Sequence, residues 1–169
     1  MRYFSGFSLN GEQELFRDFL VDGEFTVAGF SYGAIRAFEY ALDAIERVDR
    51  LILISPAFFQ NMGELFIRAQ LRHFKLNRDR YIQNFLKNVA YPSDIELNRY
   101  LKVGAYSELE SLLRYNWSLD RLMELKGRGI TIEVFLGDMD RVIDIDEALK
   151  LFSRVSTTYL LKGRGHILR

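Results

Sequence analysis

Apolar and polar positions follow two rhythms along this chain. Leu51-Ile52-Leu53-Ile54 is an unbroken apolar run bounded by Asp49-Arg50 and Ser55-Pro56, the pattern of a strand buried on both faces of a sheet. Glu24-Phe25-Thr26-Val27-Ala28, Ile130 to Leu136 and Thr157 to Leu161 have the β-branched and aromatic composition of further strands, and Met1 to Phe4 suits a short one. Between these runs the apolar residues recur at helical spacing. Ala34, Ile35, Phe38, Ala41, Leu42 and Ile45 share one helix face, and Ile145, Ala148, Leu149 and Phe152 another, which Asp144 starts with Glu147 three residues on. Asn10, with Gln13 three residues later, is placed to cap a helix that buries Leu15, Phe16, Phe19 and Leu20 and stops at Asp22-Gly23.

From about Phe58 to Lys126 no strand pattern appears. Helix starts recur instead, at Asn77, at Ser93 with Glu96 and at Ser107 with Glu110, which predicts three or four short helices. The fold class is therefore α/β: about five parallel strands with flanking helices, and a helical cap inserted before the penultimate strand. The core comprises residues 1–57 and 127–169, and the cap residues 58–126. A right-handed crossover is expected between the first two strands, bringing the Gly6-Phe7 loop to the same carboxyl edge as the turn after the second strand.

That turn is Gly29-Phe30-Ser31-Tyr32-Gly33. A serine between small residues, set between a strand and a helix, reads as a nucleophile on a tight, strained turn. Its hydroxyl needs a base within hydrogen-bond reach and an acid to orient that base. His166 sits in a glycine loop after the last strand, whereas His73 lies in the helical insertion among Arg72, Phe74 and Lys75. The loop after Leu136 offers Asp138, Asp140, Asp144 and Asp146. Asp144 and Asp146 have structural explanations as the cap and the first-turn carboxylate of a helix. Asp140 is the chosen acid, with Asp138 left open as an alternative acid or a brace of the turn. The backbone N–H groups of Tyr32 and Phe7 are the candidate oxyanion donors.

Gly29 to Gly33, Leu136-Gly137-Asp138-Met139-Asp140 and Gly165-His166 resemble the nucleophile elbow, acid loop and histidine loop of the α/β-hydrolase superfamily, in its chain order of serine, acid, histidine. Ser5-Gly6-Phe7-Ser8-Leu9-Asn10 is similar to the oxyanion loop of the pimeloyl-acyl-carrier-protein methyl ester esterases of biotin synthesis, with Ser5 where histidine is usual. The resemblance implies a serine carboxyl-ester hydrolase without a cofactor, acting on a methyl ester carried by acyl carrier protein. A general small-ester or thioester hydrolase, or a hydrolase-like binding module with an unreactive Ser31, fits the same motifs. The chain departs from the superfamily pattern in its economy. Only 25 positions separate Gly6 from Ser31, room for one helix and one strand, and three residues follow His166. The usual closing helix has no counterpart there, so the histidine loop is expected to be weakly anchored.

Composition bounds the partners. The 169 residues are 49% hydrophobic and 14% aromatic, which excludes disorder, and Lys+Arg 23 balances Asp+Glu 23, so no global field recruits nucleic acid or a membrane. A local field does exist. Arg68, Arg72, Lys75, Arg78, Arg80 and Lys87 face only Asp79 between Phe66 and Ala90, a basic stretch suited to an acidic carrier protein. Phe58, Phe59, Phe66, Phe74, Phe85, Trp117 and Met123 are candidates for lining an acyl channel. No cysteine is present, which removes disulfides and cysteine catalysis and fits a cytoplasmic location; with two histidines, no metal site is expected. No signal peptide or membrane span is expected either.

Overall fold

Five parallel strands pair in sequence order across one sheet in the computed structural model, which describes residues 1–169: β1 (Arg2–Phe4), β2 (Thr26–Phe30), β3 (Arg50–Ile54), β4 (Thr131–Gly137) and β5 (Thr157–Leu161). Each parallel pair needs a crossover. Helix α1 (Tyr32–Asp43) joins β2 to β3. Between β3 and β4 stand α2 (Glu64–Leu76), α3 (Arg78–Ala90), a 3₁₀ turn at Asn98–Tyr100, α4 (Tyr106–Arg114) and α5 (Leu119–Gly127), and α6 (Ile145–Phe152) joins β4 to β5. Leu51 to Ile54 have no exposure, as their unbroken apolar run requires. No helix is long and apolar enough to cross a membrane.

The register sets Phe30, Ile54, Phe135 and Tyr159 side by side on one face of the sheet, while Leu53 and Val134 neighbour each other on the opposite face. Phe38 of α1 and Phe152 of α6 both pack on Trp117, with ring centroids 5.1 and 5.0 Å away, so these helices cover the Leu53 face together. The connection after β1 covers part of the other face, where Phe16 meets Phe30 at 4.8 Å and Phe19 meets Phe135 at 5.2 Å.

The expected right-handed crossover between β1 and β2 is therefore not what forms. This connection and α1 run on opposite faces between strands that advance in one direction, so they have opposite hands; α1 and α6 follow the usual right hand and the first connection is the left-handed exception. The usual rule describes a twisted strand feeding a helix that packs back on the sheet. Here there is no such helix. The predicted helix from Asn10 to Asp22 shrinks to one 3₁₀ turn, Glu12–Phe16. Asn10 donates its backbone N–H to the Tyr100 carbonyl (2.8 Å) instead of capping, and Glu12 turns inward with no exposure. The Gly6-Phe7 loop still reaches the carboxyl edge, because parallel strand direction alone decides that.

In the insertion Asn77 caps α3 as expected, accepting from the Arg80 N–H at 3.0 Å. Ser93 does not start a helix: its hydroxyl donates to the Ala90 carbonyl (2.7 Å) and finishes α3. Ser107 falls inside α4, whose start is closed by the Glu108 carboxylate on the Ala105 N–H (2.7 Å). Helix α5 is tied to the sheet layer, since Arg121 donates twice to Glu39 of α1, at 2.8 and 2.5 Å.

The residues after His166 overturn the expectation of a weakly anchored loop. Ile167 and Leu168 have no exposure, the Leu168 N–H returns to the Gly165 carbonyl (3.0 Å), and the Arg169 guanidinium donates to the Leu15 carbonyl and to Asp18 (3.3 Å). Two fully buried apolar side chains and an ion pair to the first connection anchor the histidine loop.

Candidate active site

The elbow is built by backbone contacts from two strands. Ser31 has φ 54° and ψ −115°, a conformation that costs a non-glycine residue about 1–3 kcal/mol and persists only where neighbours impose it. Its N–H donates to the Ile54 carbonyl (2.9 Å), and its carbonyl accepts from Ala34 (3.0 Å) and Ala57 (3.1 Å). The flanking glycines are sterically required: a Cβ on Gly29 would strike the Gly33 carbonyl, and one on Gly33 would strike the Phe4 carbonyl.

Three predicted residues, distant in sequence, meet at this turn. His166 Nε2 lies 2.9 Å from Ser31 Oγ, and Nδ1 lies 2.5 Å from Asp140 Oδ2. Asp140 Oδ1 accepts from the N–H groups of Val142 (2.6 Å) and Ile143 (3.3 Å), which fixes the carboxylate and aims its other oxygen at the imidazole. A carboxylate only accepts, so Nδ1 carries the proton and the Nε2 lone pair faces the serine hydroxyl. The imidazole and the Asp140 side chain have no exposure and Ser31 has 3%, so these contacts act with little screening by water.

The acid loop and the histidine loop are stitched together by Asp138. Its Oδ1 accepts from the Gly163 N–H at 2.7 Å, its own N–H donates to Leu161 (3.1 Å), and the Met139 N–H donates to Arg164 (2.8 Å). Asp138 thus braces the turn and does not touch His166. Asp144 caps α6 as expected, accepting from Glu147 N–H at 3.2 Å, and His73 is exposed on α2.

Phe7 N–H has no acceptor in the protein, and Tyr32 is the first residue of α1, where an N–H has no intrahelical partner. Both residues line a pocket of 510 Å³ that also runs along β1. The loop carrying Phe7 is held to the segment inserted between β3 and β4 by contacts that sequence reasoning missed. Asn10 N–H bonds the Tyr100 carbonyl, Lys102 N–H bonds the Ser8 carbonyl (3.1 Å), and Gly104 N–H bonds Ser8 Oγ (3.2 Å). Glu12, also missed, accepts from the Gly6 N–H at 2.8 Å.

The aromatic candidates separate. Phe59, Phe66 and Phe85 line an apolar cavity of 240 Å³ between helices α2, α3 and α4 and Arg141-Val142 after β4. Phe58 and Trp117 pack on Phe152 in the core, and the indole Nε1–H donates to Ala57 (2.8 Å). Phe74 packs against Phe7 and Tyr81, and Met123 is half exposed. The basic candidates separate too. Arg68 binds Glu64 (3.0 Å), Arg78 approaches Asp79 (3.7 Å), and Lys75 lies over the Tyr106 ring (4.4 Å). Arg72, Arg80 and Lys87 are exposed and have no acidic partner within the chain.

No protein-family profile matches the sequence, and no curated protein sequence matches it. Solved structures do match in shape. The esterase EaEST from Exiguobacterium antarcticum superposes with a TM-score of 0.66 at 20% identity, covering 83% of this chain and 59% of that one. MenH from S. aureus gives 0.65 at 14% identity over 97% of this chain and 85% of that one, and the bromoperoxidase from Bacillus anthracis gives 0.67 at 13% over 84% and 60%. The chain thus spans well under two thirds of that esterase's length. At these identities the likeness speaks for architecture, and with the five-stranded parallel sheet and its helices it establishes that the chain has a reduced α/β-hydrolase fold.

Proposed function

We propose that this protein is a serine carboxyl-ester hydrolase. The observation that carries the reading is the continuous contact Asp140–His166–Ser31 beneath a strained elbow. Ser31 Oγ attacks the ester carbonyl while its proton passes to His166 Nε2. The resulting oxyanion is met by the N–H groups of Tyr32 and Phe7. Collapse breaks the acyl C–O bond, and His166 returns the proton to the departing alkoxide, so an alcohol leaves. Water then gives a proton to His166 and its oxygen to the acyl carbon, the acyl–Oγ bond breaks, and His166 passes that proton to Ser31 Oγ, releasing the carboxylic acid and restoring Ser31. Asp140 holds the imidazole in place and stabilises the imidazolium that forms.

The test is kinetic. Ser31→Ala is expected to lower kcat/KM on a p-nitrophenyl ester by about 10⁴-fold or more. Activity within tenfold of the unaltered protein would instead favour a binding module with an unreactive serine.

The finer reading is cleavage of the methyl ester of pimeloyl-acyl-carrier-protein in biotin synthesis, in the cytoplasm and without a cofactor, with methanol as the leaving alcohol and residues 58–126 acting as the cap. It is supported by the Ser5-to-Asn10 loop, by the 240 Å³ apolar cavity beside the acid loop, and by the free cations on α2 and α3. A general small-ester or thioester hydrolase is the second reading. It is favoured by the internal engagement of Arg68, Arg78 and Lys75, which leaves three cations, not six, without a partner in the chain. Turnover of the carrier-bound methyl ester at least tenfold above that of free dimethyl pimelate supports the first; equal turnover supports the second.

A further inference from the structure

Glu12 has no exposure, yet one carboxylate oxygen accepts from Gly6 N–H (2.8 Å) and Tyr3 O–H (3.1 Å) while the other, Oε2, has no partner. A buried carboxylate with an unpaired oxygen costs stability, and an apolar side chain would fill the same volume at lower cost. An apolar side chain would not, however, hold Gly6. The Gly6–Phe7 peptide carries the candidate oxyanion donor. Its carbonyl accepts from the Leu9 N–H (3.2 Å), and because the peptide is planar and trans this aims the Phe7 N–H in the opposite direction, where it has no protein acceptor. The remaining freedom is rotation about Gly6 itself, a residue without a Cβ to limit it. Space beside it is short, since a Cβ there would stand 2.8 Å from the Phe30 ring. The Glu12 carboxyl oxygen restrains that freedom by fixing the Gly6 N–H.

We infer that Glu12 is a positioning residue that sets the direction of the Phe7 N–H and thereby the geometry of the oxyanion hole. This rests on the serine-hydrolase reading above. The role is distinct from that of the relay, since Glu12 touches neither Ser31 nor His166 and acts only through the loop backbone.

The experiment compares the full-length protein with Glu12→Met, Glu12→Gln and Tyr3→Phe. The first fills the volume without an oxygen, the second keeps an oxygen for Gly6, and the third removes only the tyrosine bond. The rate of Ser31 labelling by a fluorophosphonate, whose phosphoryl oxygen occupies the oxyanion position, is measured beside kcat and KM on p-nitrophenyl acetate. E12M should lose about 30- to 100-fold in labelling rate and kcat with KM within about threefold, as expected when an oxyanion donor is misdirected. E12Q should recover to within about fivefold of the unaltered protein, and Y3F should stay within about threefold.

Wild-type labelling rates in E12M, losses carried by KM alone, or an E12Q as slow as E12M each overturn the inference. An unaltered protein whose Ser31 is not labelled overturns the hydrolase reading and this inference with it, whereas a labelled parent beside an equally reactive E12M overturns the inference alone. Should E12M lose its cooperative melt, amide exchange of the parent decides: a Gly6 proton exchanging as fast as exposed loop amides overturns the proposal, and a protected, downfield one supports it.

Discussion

Asp138 and Asp140 stand on one turn, and the groups each binds divide their work. Asp140 faces His166 Nδ1, whereas Asp138 accepts from Gly163 N–H. Asp140→Asn should lower kcat by about 10⁴-fold through the wrong imidazole tautomer. Asp138→Asn should cost about tenfold at most and lower the melting temperature by a few degrees, a signature of a lost loop brace. Steady-state kinetics with a thermal melt checks both, and the reverse ranking would reassign the acid. The meeting of Ser31, His166 and Asp140 was legible because a strained elbow demands Gly29 and Gly33, and because the loops carrying His166 and Asp140 follow strands. Spacing alone could not separate Asp138 from Asp140, since both lie on the same turn. Glu12 was not legible for a different reason. Asn10 with Gln13 fits a capping pattern, and no local signal distinguishes a carboxylate turned into the protein from one turned to water.

Helices α2 and α4 of the insertion are joined by one carboxylate. Glu64 takes two bonds from Arg114 (2.9 and 3.0 Å) and one from Arg68, and these donors lower its pKa from the ordinary 4.5 to about 2. A depressed carboxyl pKa stabilises the fold above its ordinary value and loses that contribution as pH falls through the folded-state value. The clamp should thus be intact above 4.5 and open as pH falls toward about 2. Amide exchange in α2 and α4 should rise over that window relative to α1, and Glu64→Gln should remove the pH dependence; a flat profile in the parent would refute the clamp. At this scale the strands were readable from their composition, as was the capping of α3 and α6. The hand of the first crossover was not. It depends on which sheet face remains open once α1 and α6 cover the other, and Phe16 and Phe19 take the positions left beside Phe30 and Phe135. Ser93 misled because a hydroxyl that ends one helix has the same residue type as one that starts the next.

Across the whole molecule, net charge is zero, so the proposed docking of an acidic carrier rests on the α2–α3 surface. Replacing Arg72, Arg80 and Lys87 together with Gln should lower kcat/KM for the carrier-bound ester by about tenfold at low salt, less at high salt, and leave p-nitrophenyl acetate within about twofold. Equal losses on both substrates would argue against carrier docking. The order of the strands has a consequence in time as well as in space. Because β1 to β5 lie across the sheet as they lie along the chain, each strand leaving the ribosome finds its pairing edge already made. Ser31 and His166 are 135 positions apart, so at about 5–20 residues per second the histidine follows the serine by roughly 7–27 s. During that interval the nascent sheet holds Ser31 without its His166 contact. Under the proposed function, ester cleavage by ribosome-bound chains would therefore report the docking of the His166 loop on the elbow.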